Sequence, residues 1–334
     1  MKTVLVTGAN GHLGYNLVKL LKERGYSVKA GVREPDNLLK TTHLKSLNAE
    51  IVYVDILKLE TLISAMDGVE GVFHVAAPYN ITSKNPAKEV KEPIIMGTAN
   101  VLKSVRDKGV KKLIYTSSTV AVGNDSAKGM ELTEKDWNKA AIEPYARAKT
   151  EAEKNAWDLA GKYQINMVTI LPSGMIGPYF YRHTPTTQSI EELMRGKIPF
   201  ILPLFFSFVD VRDVALAHVL AYENDKSSGR YIASTFSAYL KELFYLIHEI
   251  DPEIAIPAKI LPKPLLKTVP IMDWLSNRLM KTPRFATRLF IEEYGGKEPV
   301  FSSDRIQREL DWKPMDFKES VRDTILWVRK QFLK

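Results

Sequence analysis

Apolar residues fall into short runs and helical stripes that alternate along the first half of the chain. Val4, Leu5 and Val6 form a run that ends at Thr7; Leu13, Leu17, Leu20 and Leu21 then recur at helical spacing up to Gly25. Further strands are predicted at Ser27 to Val32, Glu50 to Val54, Gly71 to Val75, Lys112 to Thr116 and Ile165 to Leu171, with helical patterns between them, one of them around Ile94 to Lys108. This alternation predicts an α/β fold built on a doubly wound parallel sheet covered on both faces. Ligands of such sheets bind beyond the C-terminal strand ends.

Composition narrows the picture. At 334 residues and 45% hydrophobic, the chain can bury a full core. It has no cysteine, which excludes disulfides, thiolate metal sites and cysteine nucleophiles and fits a reducing, cytoplasmic setting. The six histidines show no paired ligand spacing, so no metal is expected. A net charge of +8 comes from lysines spread over most predicted helices, without a basic stripe interleaved with aromatics, so no nucleic-acid partner is expected. The start of the chain does not read as a signal peptide, and the longest apolar run, Pro199 to Val209, is too short to span a bilayer. Ile256 to Ile291, apolar and basic, reads as a substrate lid, with a membrane-surface contact as the alternative.

The chemistry begins at the first strand–helix junction. Gly8, Gly11 and Gly14 fall between strand and helix, where glycine permits a tight turn, close approach of a pyrophosphate to the backbone and close packing of helix on strand. A dinucleotide site is therefore predicted on Thr7, Gly8, Gly11, His12, Leu13 and Gly14. The second strand ends at Arg33 with no acid at its tip, which favours the 2′-phosphate of NADP(H) over the bare ribose of NAD, and Lys40 offers a second cation. Asp55, followed by Ile56, reads either as an acceptor for the adenine amine or as a helix N-cap. Ala76 and Ala77 let a cofactor lie close to the fourth strand, while His74 reads as a core histidine. Thr116, Ser117, Ser118 and Thr119 bring hydroxyls to the tip of the fifth strand. Pro144 suits a first helical turn, and Tyr145 and Lys149 then share one helix face among closely packing alanines.

Together, T-G-A-N-G-H-L-G (Thr7 to Gly14) and Tyr145 to Lys149, a Y-x-x-x-K pattern, resemble the extended form of the short-chain dehydrogenase/reductase superfamily. Within it the chain is most similar to dihydroflavonol reductases and related carbonyl reductases. The supporting stretches are Val32 to Asn37, Val72 to Pro78, Gly97 to Ser104, Tyr115 to Ser118, Phe208 to Ala215, Gly229 to Ser234 and Leu310 to Pro314. The resemblance implies a Rossmann-like NADP-binding domain over residues 1–175, to which 208–234 contribute, and a mainly helical substrate lobe over 176–334. It implies a triad of Ser118, Tyr145 and Lys149, with Pro172 and Met175 in the segment that contacts the nicotinamide. The activity implied is NADPH-dependent reduction of an apolar or aromatic aldehyde or ketone, by a monomer or homodimer. Ile94 stands where many members carry an asparagine. Phe206 lies where sugar-nucleotide enzymes commonly have an arginine, which weighs against an NAD-holding epimerase or dehydratase. A hydroxysteroid-type dehydrogenase is a variant of the same reading, and a non-catalytic NADP sensor has no use for Tyr145 and Lys149. The two C-terminal helices are expected to start with capping pairs, Asp304 with Gln307 and Asp316 with Glu319.

Overall fold

In the computed structural model, which describes residues 2–79, 83–124, 130–280, 284 and 286–333, a seven-stranded parallel sheet occupies the centre. The chain enters it through β1 (Thr3–Thr7), α1 (His12–Glu23), β2 (Ser27–Val32), α2 (Leu38–Lys45), β3 (Glu50–Tyr53), α3 (Leu59–Ala65) and β4 (Gly71–His74). It continues through α4 (Glu92–Lys108), β5 (Lys112–Thr116), α5 (Pro144–Tyr163) and β6 (Met167–Pro172). A second region holds β7 (Gly174–Ile176), α6 (Pro185–Met194) and β8 (Phe205–Asp210), before α7 (Val211–Glu223) and β9 (Gly229–Ala233) return to the main sheet. The remainder comprises β10 (Phe236–Tyr239), α8 (Leu240–Ile250), α9 (Val269–Met280), α10 (Arg288–Tyr294), α11 (Asp304–Leu310) and α12 (Phe317–Phe332).

The strand order is β3-β2-β1-β4-β5-β6-β9, so the direction of winding reverses between β1 and β4. A crevice opens at that switch point, beyond the C-terminal ends of the strands. Val4, Val6 and Phe73 pack with α1 and α7 residues such as Leu17, Val214 and Ala217 on one face. Leu5, Val72 and Tyr115 pack with Val101, Val105 and Ala156 of α4 and α5 on the other. The alternation that predicted the sheet thus follows from strands buried on both sides.

Strand ends shift for identifiable reasons. The fourth strand stops at His74 because the Val75 amide donates to the Thr7 hydroxyl at 3.2 Å instead of to a strand. The sixth begins at Met167, after Gln164 caps α5 in the left-handed region (φ 55°) and Ile165 donates back to the Ala160 carbonyl. At α11 the expected pair gives way. Ser303 is the N-cap residue, its hydroxyl exchanging hydrogen bonds with the Ser234 backbone at 2.8 and 3.0 Å, and Asp304 lies inside the helix. Asp316 caps α12, accepting the Lys318 and Glu319 amides.

A smaller core of Ile176, Ile190, Phe208, Phe244, Ile247, Val321 and Ile325 lies under β7, β8 and α12. In α9, Val269 and Asp273 turn inward, Asp273 pairing with Arg284 at 2.7 Å, while Ile271, Leu275 and Leu279 are exposed. Among the described residues, no helix is long and apolar enough to cross a membrane.

Buried acids tie the two regions together. Asp210 accepts the Arg212 guanidinium at 2.9 Å and the Ser320 hydroxyl at 2.5 Å. Asp213 accepts the Met315 amide, and burial pushes its carboxyl up to about 7. An unfolded Asp titrates at 3.8, so between these values the native chain keeps a proton that the unfolded chain releases, and stability falls as pH rises. The Tm advantage of Asp213→Asn over the parent should therefore widen from pH 4 to 7 and level off above, the full span corresponding to ~4 kcal/mol. Thermal melts across that range check this; a constant difference would mean that Asp213 ionises normally.

Candidate active site

The glycine loop fits its predicted purpose sterically. Gly8 lies in the left-handed region (φ +68°), and a Cβ there would sit 2.8 Å from the Ala76 Cα. A Cβ on Gly14 would lie 2.2 Å from the Gly8 carbonyl oxygen. The Thr7 hydroxyl accepts the Val75 and Ala76 amides at 3.2 Å and pairs with His74 Nδ1 at 2.9 Å, which fixes the β4 exit against the loop. Ala76 is half-buried and Ala77 exposed. Gly11 is the N-cap of α1 and supplies no side chain, so the first-turn amides have no side-chain acceptor. Those amides and the positive end of the helix form a cradle for a pyrophosphate.

His12 and Leu13 contribute to this cradle through their backbone, because both side chains are buried in packing. His12 Nε2 donates to the Pro178 carbonyl at 3.2 Å, and the ring meets Phe180 edge-on at 5.0 Å. Burial lowers this imidazole to about 4, so it is neutral and holds α1 against the second region.

Arg33 is exposed and lines a cavity of about 610 Å³ together with Glu34, Asn37 and Tyr53. Lys40, predicted as its companion, instead pairs with Glu34, and that contact holds the Glu34 carboxyl below its ordinary range. Asp55 does not cap α3, whose N-cap is Lys58; its Oδ1 accepts the Leu57 amide at 3.1 Å. Ile56 is packed under Gly97, and its carbonyl accepts Asn100 Nδ2 at 3.0 Å, which gives Asn100 a packing and positioning role.

The tip of β5 and the start of α5 converge at the crevice. Lys149 is buried, and its Nζ donates to the Thr116 carbonyl at 2.8 Å, 5.3 Å from the Tyr115 ring centroid. Burial pushes the ammonium down to about 8, and Glu153, one turn further on, opposes that fall. The Thr116 hydroxyl pairs with His218 Nε2 at 2.7 Å; His218 Nδ1 lies 2.7 Å from the Val214 carbonyl, which assigns the proton to Nδ1. Ser118 caps a short 3₁₀ turn, accepting the Val120 amide at 3.4 Å. The Thr119 hydroxyl reaches the Pro172 carbonyl at 3.4 Å, and Met175 lies part-buried on β7. The Tyr145 phenol is raised by burial, then by the neighbouring Tyr79, Tyr115 and Glu143, and a hydrogen bond with Ser118 draws it down. Its ring lies 4.6 Å from that of Tyr79.

The second region reaches this site through α10. Glu293 is 1% exposed, and its carboxylate accepts the Ile142 and Glu143 amides at 2.5 and 2.9 Å and Asn124 Nδ2 at 2.7 Å. Glu143 in turn caps the Tyr145 helix, accepting the Ala146 amide at 2.9 Å. Next to Glu293, Tyr294 stacks against Phe206 and Phe290 and shares its surroundings with Tyr79 and Tyr145.

Residues missed by sequence reasoning include Glu153, Arg230, Glu293, Tyr79 and Tyr294. Glu153 carried a signal in its spacing of four from Lys149. The others are brought in from distant segments by tertiary packing alone.

What this arrangement can do follows from its parts. A buried cation, a phenol one helical turn away and a hydroxyl at a strand tip can donate a proton to an oxygen and stabilise charge on it. The amide cradle beside them can hold a dinucleotide.

Comparison with known proteins gives the setting. A sequence model described as the NAD dependent epimerase/dehydratase family matches residues 4–233. A bifunctional dihydroflavonol 4-reductase/flavanone 4-reductase of Malus domestica is 34% identical over 274 residues, covering 77% of this chain and 79% of that one. Cinnamoyl-CoA reductase 2 of Medicago truncatula is 35% identical over 271 residues, covering 77% and 79%. The crystal structure of gox2253 superposes with a TM-score of 0.86 at 29% identity, covering 99% of both chains. The crevice, the strand order and these matches agree: the chain belongs to the NAD dependent epimerase/dehydratase family, the extended short-chain dehydrogenases and reductases.

Proposed function

We propose that the protein is an NADPH-dependent reductase that converts an apolar or aromatic aldehyde or ketone to the alcohol. The observation that carries this reading is the Lys149 ammonium anchored on the Thr116 carbonyl, with Tyr145 one turn away and Ser118 against its phenol. The family and the reductase relatives support an NAD(P)-dependent oxidoreductase; the finer reading rests on Arg33 and on the apolar second region. Residues 1–175 with 208–234 serve the cofactor and 176–334 the substrate.

A bound nicotinamide cofactor supplies the hydride. The first-turn amides of α1 and the Gly8 to Gly14 loop bind its pyrophosphate, and Arg33 its 2′-phosphate, from the open cavity it lines. Lys149 orients the ribose nearest the reacting carbon. Ser118 hydrogen-bonds the substrate carbonyl oxygen, and Tyr145 delivers its phenolic proton to that oxygen. Burial alone would keep the phenol from yielding its proton, so the cation of Lys149 and the Ser118 hydroxyl are needed to lower its pKa. Phe206, Phe290 and Tyr294 give the substrate an apolar wall with no cation for a diphosphate.

Loss of nicotinamide absorbance with a panel of aldehydes, ketones and dihydroflavonols tests the activity. Tyr145→Phe should lower kcat by ~10² to 10⁴-fold and leave NADPH affinity unchanged in a fluorescence titration. Turnover near the parent's would refute the proton donor. Because Lys149 must carry its proton, kcat/KM for reduction should decline above about pH 8, and a profile flat to pH 10 would contradict that role. Arg33→Ala should raise the KM for NADPH about tenfold, ~1.4 kcal/mol, without altering that for NADH. Equal effects on both cofactors would remove Arg33 as the selector.

A further inference from the structure

Behind the proposed triad lies a buried polar network that the proposed proton transfer does not use. Glu153 is fully buried on α5, one turn beyond Lys149. Its Oε2 accepts the Ser117 hydroxyl at 2.7 Å and its Oε1 accepts Arg230 Nε at 2.8 Å. Arg230, itself 6% exposed on β9, turns away from Lys149: its Nη1 donates to the Glu134 and Asp136 carbonyls at 2.7 Å, and its guanidinium lies 3.8 Å from the Trp137 ring centroid.

Two consequences follow from this geometry. First, α5 grips consecutive residues at the β5 tip, Thr116 through Lys149 and Ser117 through Glu153, and Ser118 is the next residue. Second, Lys149 faces few charges: Glu153 from its own helix, and His74 from β4 and Tyr115 from β5, both held neutral by burial, with Tyr145 one turn before it. A cation buried so thoroughly needs an anion close by to remain charged.

We propose that Glu153 is a positioning residue of this site, setting the Ser118 loop through Ser117 and supplying the counter-charge that keeps the Lys149 ammonium protonated. Arg230 completes the arrangement by compensating Glu153 from the far side and tying it to the 134–137 loop, so that the carboxylate is neither unpaired nor free to turn. This inference rests on the proposed role of Lys149 and has a readout that does not.

The test is an NMR titration of ¹³C-lysine-labelled protein without cofactor, with the Lys149 signal assigned through Lys149→Arg. Glu153→Gln should lower the Lys149 midpoint by about one pH unit, and the basic limb of the reduction profile should move down with it. Because that variant leaves Arg230 as a lone buried cation, Glu153→Gln/Arg230→Met is measured beside it, and the same shift is expected. Ser117→Ala should lower kcat without moving the midpoint. An unmoved midpoint in a folded Glu153 variant, or turnover loss without a limb shift, would overturn the proposal. If the midpoint moves but turnover is indifferent to Tyr145→Phe, the reductase reading fails and the charge coupling stands.

Discussion

A lysine ammonium taken out of water is the constraint on which the rest of the site depends. Lys149 is 2% exposed, and its donated hydrogen bond to the Thr116 carbonyl is made to a backbone atom, which cannot be moved without moving β5. Desolvation of a charge costs several kcal/mol unless partners compensate it, so the groups around Lys149 are committed to that task. The ring of Tyr115 beneath it and the carboxylate of Glu153 beyond it serve in this way. His74 and His218, which would add repulsion as cations, are held neutral by burial, at about 3 and about 4. One buried charge thus fixes the protonation of neighbours on three other elements.

The sheet was legible because its strands are short, apolar on both faces and separated by helical stripes. Steric necessity made the glycine loop readable as well, since Gly8 and Gly14 leave no room for a Cβ. Tyr145 and Lys149 were readable as a pair because both lie on one helix. Other contributions were not, and the reason in each case is distance along the chain. Arg230 meets Glu153 across 77 residues, and Glu293 meets Glu143 across 150. Local pattern carries no information about such pairings. Lys40 shows the opposite failure: its spacing suggested a phosphate partner, but Glu34 six residues earlier is a nearer anion.

Capping assignments at α3 and α11 differ from sequence expectation for a shared reason. An Asp near a helix start satisfies whichever amides its loop presents, and tertiary contacts choose the loop. Asp55 serves the Leu57 amide in a turn, while at α11 the Ser303 hydroxyl is drawn to the Ser234 backbone. Asp316, whose loop is free of such contacts, caps its helix as its sequence suggests.

The grip of Glu293 on the Ile142 and Glu143 amides has a bearing on how this scaffold can diversify. The segment that walls the substrate crevice and the segment that begins the Tyr145 helix share one buried carboxylate, so they form a single inherited cassette despite lying far apart in sequence. A chimera that exchanges α9 and α10 for those of a relative must carry Asn124 and the 142–143 turn with them, or the catalytic helix loses the anchor for its first turn. Substrate preference is therefore freer to drift at Phe206, Phe290 and Tyr294, whose contacts are ring against ring, than at the glutamate beside them.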